Sequence, residues 1–206
     1  MLIALIVIIA VVIIFLIAAR VFNFDLREIT EFINDMKGLV ITGIIAIIVL
    51  TFIVTFQPIA GNSMHPTIEE GQVVLVNKLA YVFSDIGRNQ IVSLKNSENR
   101  SFIKRVVGLP GEKIDFRDNI FYINDIAHSQ PYIADSVQTY DFRFDDICGL
   151  DECPEGVIPP NMYLVLGDNR PHSEDSRAEG FGLIPKEQIR GKVVFRIWPI
   201  NKVGRV

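Results

Sequence analysis

Two uncharged apolar runs constrain this chain more than anything else in it. From Leu2 to Ala19 no residue is charged and nearly all are Ile, Val, Leu, Ala or Phe. From Gly38 to Ile68 there is again no charge, and Leu39 to Phe56 is almost wholly apolar. A hydrocarbon core of ~30 Å takes ~20 helical residues to cross, so each run is long enough to span a bilayer. One such run could be a buried core helix; two close together in 206 residues argue against it. They also account for a mean hydropathy of +0.33, high for a soluble protein. A cleaved signal peptide needs a positive amino-terminal region, a shorter apolar core and a small-residue cleavage site. Here no Lys or Arg precedes the first run and Arg20 follows it. Transmembrane helices are therefore expected over residues 1–20 and 39–57, joined by a loop over 21–38.

That loop carries Arg20, Arg27 and Lys37, and no basic residue then occurs before Lys78. Basic residues in short loops mark the cytoplasmic side, while acidic ones such as Asp25, Glu28, Glu31 and Asp35 contribute little to orientation. The loop is thus expected in the cytoplasm, with the amino terminus and everything after Pro58 on the far side. Asp25 to Ile33 has helical apolar spacing suited to lying along the interface.

Beyond Pro58 the texture changes to short β-rich runs separated by turns. Gln72–Val76, Gln90–Leu94, Phe102–Val107, Met162–Leu166 and Lys192–Ile197 read as strands. Lys113–Phe116 and Ile120–Ile123, around Arg117-Asp118-Asn119, read as a hairpin. No convincing amphipathic helix of ten or more residues occurs beyond residue 58. Residues 58–206 are therefore expected to form one exported, mostly antiparallel β domain of barrel or sandwich type, with a less regular, Asp-rich extension at about 112–160. Three of the 20 basic and four of the 24 acidic residues precede residue 58. The domain itself is close to neutral, with no basic excess to attract nucleic acid. Cys148 and Cys153 lie in the extension; on the far side of the membrane a structural disulfide is the default, with free thiols the alternative. Nothing around them supplies further metal ligands.

Three places could carry chemistry. Gly61-Asn62-Ser63-Met64-His65-Pro66 has the glycine and proline that hold a hydroxyl in a sharp, stiffened turn, although ordinary surface turns use the same residues. Lys104 sits in an apolar strand where period-2 alternation groups it with Phe102 and Val106. Burial there would penalise the ammonium form and lower its pKa, making a base able to take a serine proton; a lysine guarding an edge strand is the alternative. The third is the polar run Gly167 to Arg177. A Ser-His-Asp arrangement drawn from His65, His128 or His172 with Asp168 or Asp175 is also conceivable, but no spacing selects one. No two His fall at helical metal-ligand spacing, so neither metal nor cofactor is expected.

Ser63-Met64-His65-Pro66-Thr67, Lys104-Arg105-Val106-Val107-Gly108-Leu109-Pro110-Gly111-Glu112 and Gly167-Asp168-Asn169-Arg170 with Ser173, Asp175, Ser176 and Arg177 resemble, in order, the boxes of bacterial type I signal peptidases. The resemblance extends to the apolar runs and covers essentially the whole chain. It implies two amino-terminal transmembrane helices followed by an antiparallel β catalytic domain, the signal-peptidase/LexA-like β fold. It implies Ser63 as nucleophile, Lys104 as general base, Ser173 hydrogen-bonded to the lysine, and an Asp175–Arg177 ion pair supporting the active-site wall. The Ser63 N–H would point at the oxyanion. One branch of the family has a serine hydroxyl at the position of Gly61 as second donor, so here the Gly61 backbone or a water would substitute. Gln90 also replaces a more usual Asp before Ile91-Val92. Ile59, Met64, Phe102 and Ile103 are candidates to line shallow pockets for small residues at −1 and −3, or else are plain core.

The resemblance further implies a monomer in the bacterial inner (cytoplasmic) membrane. It would be multi-pass, with its catalytic domain on the periplasmic face, acting on exported preproteins beside the lipid bilayer. The alternatives are a LexA-like Ser/Lys self-cleaving protein, which would carry a helix-turn-helix rather than apolar runs, and a non-catalytic membrane-anchored binding module.

Overall fold

The structure, a computed structural model, describes residues 10, 13, 14, 17, 20, 26–96, 100–133, 137–148, 153 and 156–206. The helix expected over 1–20 lies almost entirely outside the described residues. The chain divides into two units, Met1–Val49 and Leu50–Val206.

The first unit contains helix α1, Leu26–Ile48, which runs on as a π-helical turn, Val49–Ile53. Within it Thr30–Ile53 is long and apolar enough to cross a membrane, the single such helix among the described residues. A helix suits that environment because its backbone polar groups are satisfied internally. The helical spacing read over Asp25–Ile33 falls in this helix from Leu26 on. The bounds expected for the second apolar helix, 39–57, are corrected at both ends: it begins earlier, within the segment assigned to the loop, and it stops at Ile53, where Val54–Pro58 becomes strand β1. Pro58 disfavours helix at its own position and just before it. Strand β2 (Val73–Asn77) offers β1 a full ladder, from Val54 opposite Asn77 to Pro58 opposite Val73.

The second unit is built on an eight-stranded antiparallel sheet. Its strands are β1, β2, β3 (Ile91–Lys95), β4 (Ser101–Gly108), β9 (Met162–Leu166), β10 (Ile184–Pro185), β11 (Ile189–Trp198) and β12 (Gly204–Arg205), in the order β1-β2-β11-β3-β4-β9-β10 with β12 on β11. Ser93 Oγ on β3 donates to Gln57 Oε1 on β1 at 2.6 Å. That bond spans two intervening strands, so the sheet curls toward a barrel. β4 is interior, between β3 and β9, which removes the edge-strand explanation for Lys104.

The extension read as irregular holds a second sheet of its own. β5 (Ile114–Arg117) and β6 (Ile120–Ile123) are the expected hairpin, turned by Asp118 and Asn119 at φ 51° and 63°, as a tight hairpin of matching twist requires. The short strands β7 (Ile126–His128) and β8 (Phe142–Arg143) flank it. They leave too few alternating residues to show in a sequence. Helix α2, Phe144–Ile147, comes directly after β8, and Phe116 stacks on Phe142 at 5.6 Å. Cys148 and Cys153 are bonded and buried in the same apolar cluster as these rings.

Candidate active site

The Ser63 turn leaves the end of β1 through Gly61, whose φ of +92° is open to glycine at little cost. Met64 and Ile68 on its inner side are buried against Val74, Val76, Ile91 and Val193, so burial anchors the turn from below. From above it is held by the segment after β9. The Asn169 N–H donates to Ser63 O and the Asn169 side-chain amide to Asn62 O, both at 3.0 Å. Gly167 makes this possible: a Cβ there would lie 2.4 Å from Ser63 O and 2.2 Å from Ser173 Oγ.

Lys104 reaches the turn from β4, where it stands opposite Val92 and shares its strand face with Phe102 and Val106. It is only 2% exposed, and its Nζ donates to Ser63 Oγ at 2.8 Å. Burial lowers its pKa to about 8; the carboxylates of Asp175, Glu174 and Asp168 pull it back up, and Arg177 adds to the lowering. A buried lysine poised near neutrality and hydrogen-bonded to a serine can accept that serine's proton. The histidines stand elsewhere: His65 and His128 are exposed, and exposed His172 is paired through Nδ1 with Asn169 Oδ1.

Asp175 and Arg177 form the expected ion pair, with Arg177 Nε on Oδ1 at 2.8 Å and Nη2 on Oδ2 at 2.7 Å. Asp175 also accepts the Gly167 N–H at 2.9 Å, which ties the pair to the glycine beneath Ser63. Two expectations are not met. Ser173 Oγ is buried beside Gly167 but has no hydrogen-bond partner, so it does not hold Lys104 in this arrangement. The lysine's bond goes to Ser63 instead. The Gly61 N–H is taken by Glu70 Oε1 at 3.2 Å rather than offered to the cleft.

Several residues that build the site carried no such role in the sequence reading. Arg105 and Asp168, 7% and 0% exposed, form a two-point pair at 2.8 and 2.6 Å, and Thr67 Oγ1 donates to Asp168 Oδ2 at 2.5 Å. This cluster fastens the far end of the Ser63 turn to β4. Arg170 is buried too, donating to Gly167 O at 3.1 Å and to Thr139 and Gln130, and burial lowers its pKa to about 10. The available signal was Arg105 itself: a guanidinium in an apolar interior strand needs a buried anion.

In front of Ser63 lies a cleft of about 320 Å³ walled by β1 with the chain after it and by the start of β4. Ile59, Met64, Phe102 and Ile103, together with Gly61, all line it. Among the described residues no group of His, Cys, Asp and Glu could hold a metal ion.

Residues 29–198 match the family described as "Signal peptidase, peptidase S26". Signal peptidase IB of Staphylococcus aureus strain Mu50 is 36% identical over 179 residues, 84% of this chain and 92% of that protein. Signal peptidase I of Bacillus caldolyticus is 36% identical over 158 residues, 73% of this chain and 83% of that protein. A solved signal peptidase I from Enterococcus faecalis V583 shares 31% identity over 53% of this chain and 97% of that one, at a TM-score of 0.45.

Proposed function

The chain belongs to the signal peptidase family, peptidase S26, and we infer that it is a membrane-associated serine endopeptidase that removes signal peptides from exported preproteins. The observation that carries the catalytic assignment is the 2.8 Å bond between the buried Lys104 Nζ and Ser63 Oγ. Neutral Lys104 takes the Ser63 proton as Oγ adds to the scissile carbonyl. The Ser63 N–H stabilises the resulting oxyanion. The tetrahedral species collapses as the Lys104 ammonium gives its proton to the departing amine, leaving an acyl ester on Ser63. Lys104 then deprotonates water for attack on that ester, and its proton returns to Oγ. With a pKa of about 8, about a tenth of Lys104 is neutral at pH 7.

Ser173, buried and unpartnered beside the dyad, is the acceptor we assign to Lys104 once Ser63 Oγ is acylated and its bond to the lysine is broken. Asp175 and Arg177 act on Ser63 through Gly167, whose N–H the Asp175 carboxylate accepts. The second oxyanion donor is a water, or Gly61 after release from Glu70. Ile59, Met64, Phe102 and Ile103 would select small side chains at −1 and −3. The apolar runs support two membrane-crossing helices, with the chain between them in the cytoplasm and the catalytic domain, from β1 onward, on the extracytoplasmic face of the bacterial inner membrane; the chain acts there as a monomer. Tethering enzyme and signal segment to one bilayer raises their effective concentration.

The test is cleavage of a detergent-solubilised preprotein with an Ala-x-Ala site by the native chain, Ser63→Ala and Lys104→Ala across pH 6 to 10. Product from the native chain alone establishes the pair. Equal cleavage by Lys104→Ala would sink it and return attention to the histidines, and indifference to Ser63→Ala would point to a binding module.

A further inference from the structure

Arg170 is 2% exposed, yet its hydrogen bonds go to three uncharged oxygens: Gly167 O from Nε at 3.1 Å, Thr139 Oγ1 from Nη1 at 3.1 Å, and Gln130 Oε1 from Nη2. The neighbouring guanidiniums take the buried carboxylates, Arg105 on Asp168 and Arg177 on Asp175. A buried charge is costly unless its donors are answered, so the place of Arg170 depends on these three acceptors. Two of them come from the chain between β7 and β8, outside the eight-stranded sheet that carries Lys104. The same chain makes a third contact of this kind. The Tyr132 ring lies over the Arg105 guanidinium, with Cζ 4.0 Å from its centroid, where the face of an aromatic ring attracts a cation. Thr139 is itself tied to the β5–β6 turn, its N–H donating to Asn119 Oδ1 at 3.0 Å.

What Arg170 holds in turn is the peptide beneath the nucleophile. Gly167 is gripped at both of its backbone polar groups: its carbonyl accepts from Arg170 Nε, and its N–H donates to Asp175 Oδ2 at 2.9 Å. The Arg170 carbonyl also accepts from Arg177 Nη2 at 2.8 Å, the guanidinium paired with Asp175. Gly167 packs so closely on Ser63 O and Ser173 Oγ that no Cβ fits between them. A shift of this peptide therefore moves Ser63 relative to Lys104. Gln130, Tyr132 and Thr139 do not line the Ser63 cleft, so any effect they have on the reaction passes through the guanidiniums and not through substrate.

We propose that Gln130, Tyr132 and Thr139 are positioning residues: through Arg170 and Arg105 they hold the Gly167 peptide in the place from which it sets Ser63 against Lys104. Hydrogen bonds from a guanidinium are directional as well as charge-assisted, so an acceptor on each side of Arg170 fixes its orientation and not only its depth. The second sheet is on this account a working part of the site, although it touches neither Ser63 nor the cleft. For its effect on cleavage the inference rests on the Ser63–Lys104 reading; for its effect on Gly167 it rests on the hydrogen bonds alone.

The experiment compares the full chain in detergent with Thr139→Val, Thr139→Ser, Tyr132→Leu and Tyr132→Phe, reading kcat, KM and amide hydrogen exchange. Thr139→Val keeps the shape and loses the acceptor. Tyr132→Leu loses the ring face and strands no donor, so it carries the test even where Thr139→Val does not fold. Each should lower kcat on a preprotein with an Ala-x-Ala site about tenfold, with KM changed by less than about twofold, because a misplaced nucleophile loses rate and not binding. The Gly167 and Asn169 amides, which donate to Asp175 and to Ser63 O, should exchange about tenfold faster in both variants while those of β2 stay unchanged, the mark of a local loosening. Thr139→Ser and Tyr132→Phe should return both readouts to the native values. Native-like kcat in folded Thr139→Val and Tyr132→Leu, a rise in KM in place of the fall in kcat, or conservative variants as impaired as the others would each overturn the proposal. Unchanged exchange at Gly167 and Asn169 overturns it whether or not the chain cleaves. A native chain that cleaves nothing, but whose two amides respond as expected, supports the hold on Gly167 and counts against the peptidase reading.

Discussion

Lys104 is held at a cost that the base chemistry proposed for it requires. Its pKa in the fold, about 8, lies below the ~10.4 of a solvated lysine. The charged form is thus disfavoured by folding: the penalty is complete below pH 8, shrinks between pH 8 and ~10.4, and vanishes above. Lys104→Met should therefore raise stability below pH 8 by up to about 3 kcal/mol, and the gain should fade toward pH 10.5. Chemical denaturation at pH 6.5 and at pH 10.5 checks this. The same substitution should reduce kcat by about a thousandfold or more, while the native kcat rises with pH through an apparent pKa near 8. Gly167 is the other decisive residue. Gly167→Ala would drive a methyl into Ser63 O and Ser173 Oγ, and a displacement of that size costs about a hundredfold in rate. Single-turnover acylation should show it, with the melting temperature moving far less than the rate.

Among the elements, β4 and the segment after β9 do most of the positioning. β4 carries Lys104, the proposed base, and, on the next residue, the cation that locks the Ser63 turn through Asp168 and Thr67. Breaking that buried pair with Asp168→Ala leaves Arg105 uncompensated, a loss of about 3–5 kcal/mol. Replacing both partners together, Arg105→Met with Asp168→Leu, should restore much of the stability without restoring full activity, because the hold on Thr67 is still missing. Denaturant midpoints of the three variants decide it. The second sheet contributes differently. Its disulfide closes only a short loop, worth about 2 kcal/mol, and it lies outside the Ser63 cleft. Cys148→Ser with Cys153→Ser should lower the denaturant midpoint accordingly and leave cleavage of a short peptide near the native rate.

For the whole molecule, the position of β1 sets where the catalytic unit begins. A chain starting at Leu50 keeps the five-residue ladder of β1 with β2 and the Gln57–Ser93 bond. It should fold and cleave short soluble peptides, while losing about 10²–10⁴ in rate on preproteins inserted in vesicles, through lost effective concentration. A chain starting at residue 59 lacks β1 altogether, and with it one wall of the cleft, and should be inactive on both substrates. Comparing the two truncations on the two substrates separates tethering from folding.

The sequence alone was enough for the features written locally. Charge-free runs report hydrocarbon because a single ionised group there is costly, and period-2 alternation reports strands because side chains leave opposite faces. The five long strands and the β5–β6 hairpin were legible on those grounds, and so was Lys104 as a cation on an apolar strand face, whereas Ser63 stood out only by the glycine and proline of its turn and the two were joined only by the family resemblance. What it could not carry was pairing across distance. That Val54–Pro58 is a strand depends on β2, 15 residues or more further on. That Arg105 closes on Asp168, 63 residues away, depends on β4 and β9 being neighbours. Ser173 was expected on Lys104, but the lysine's proton is directed to Ser63, because Asn169 and Gly167 bring that turn within its reach. Local patterns arise from the chemistry of neighbouring residues; which partner a buried charge or an open strand edge finds is settled only when the sheet closes and desolvation forces every buried polar group to choose.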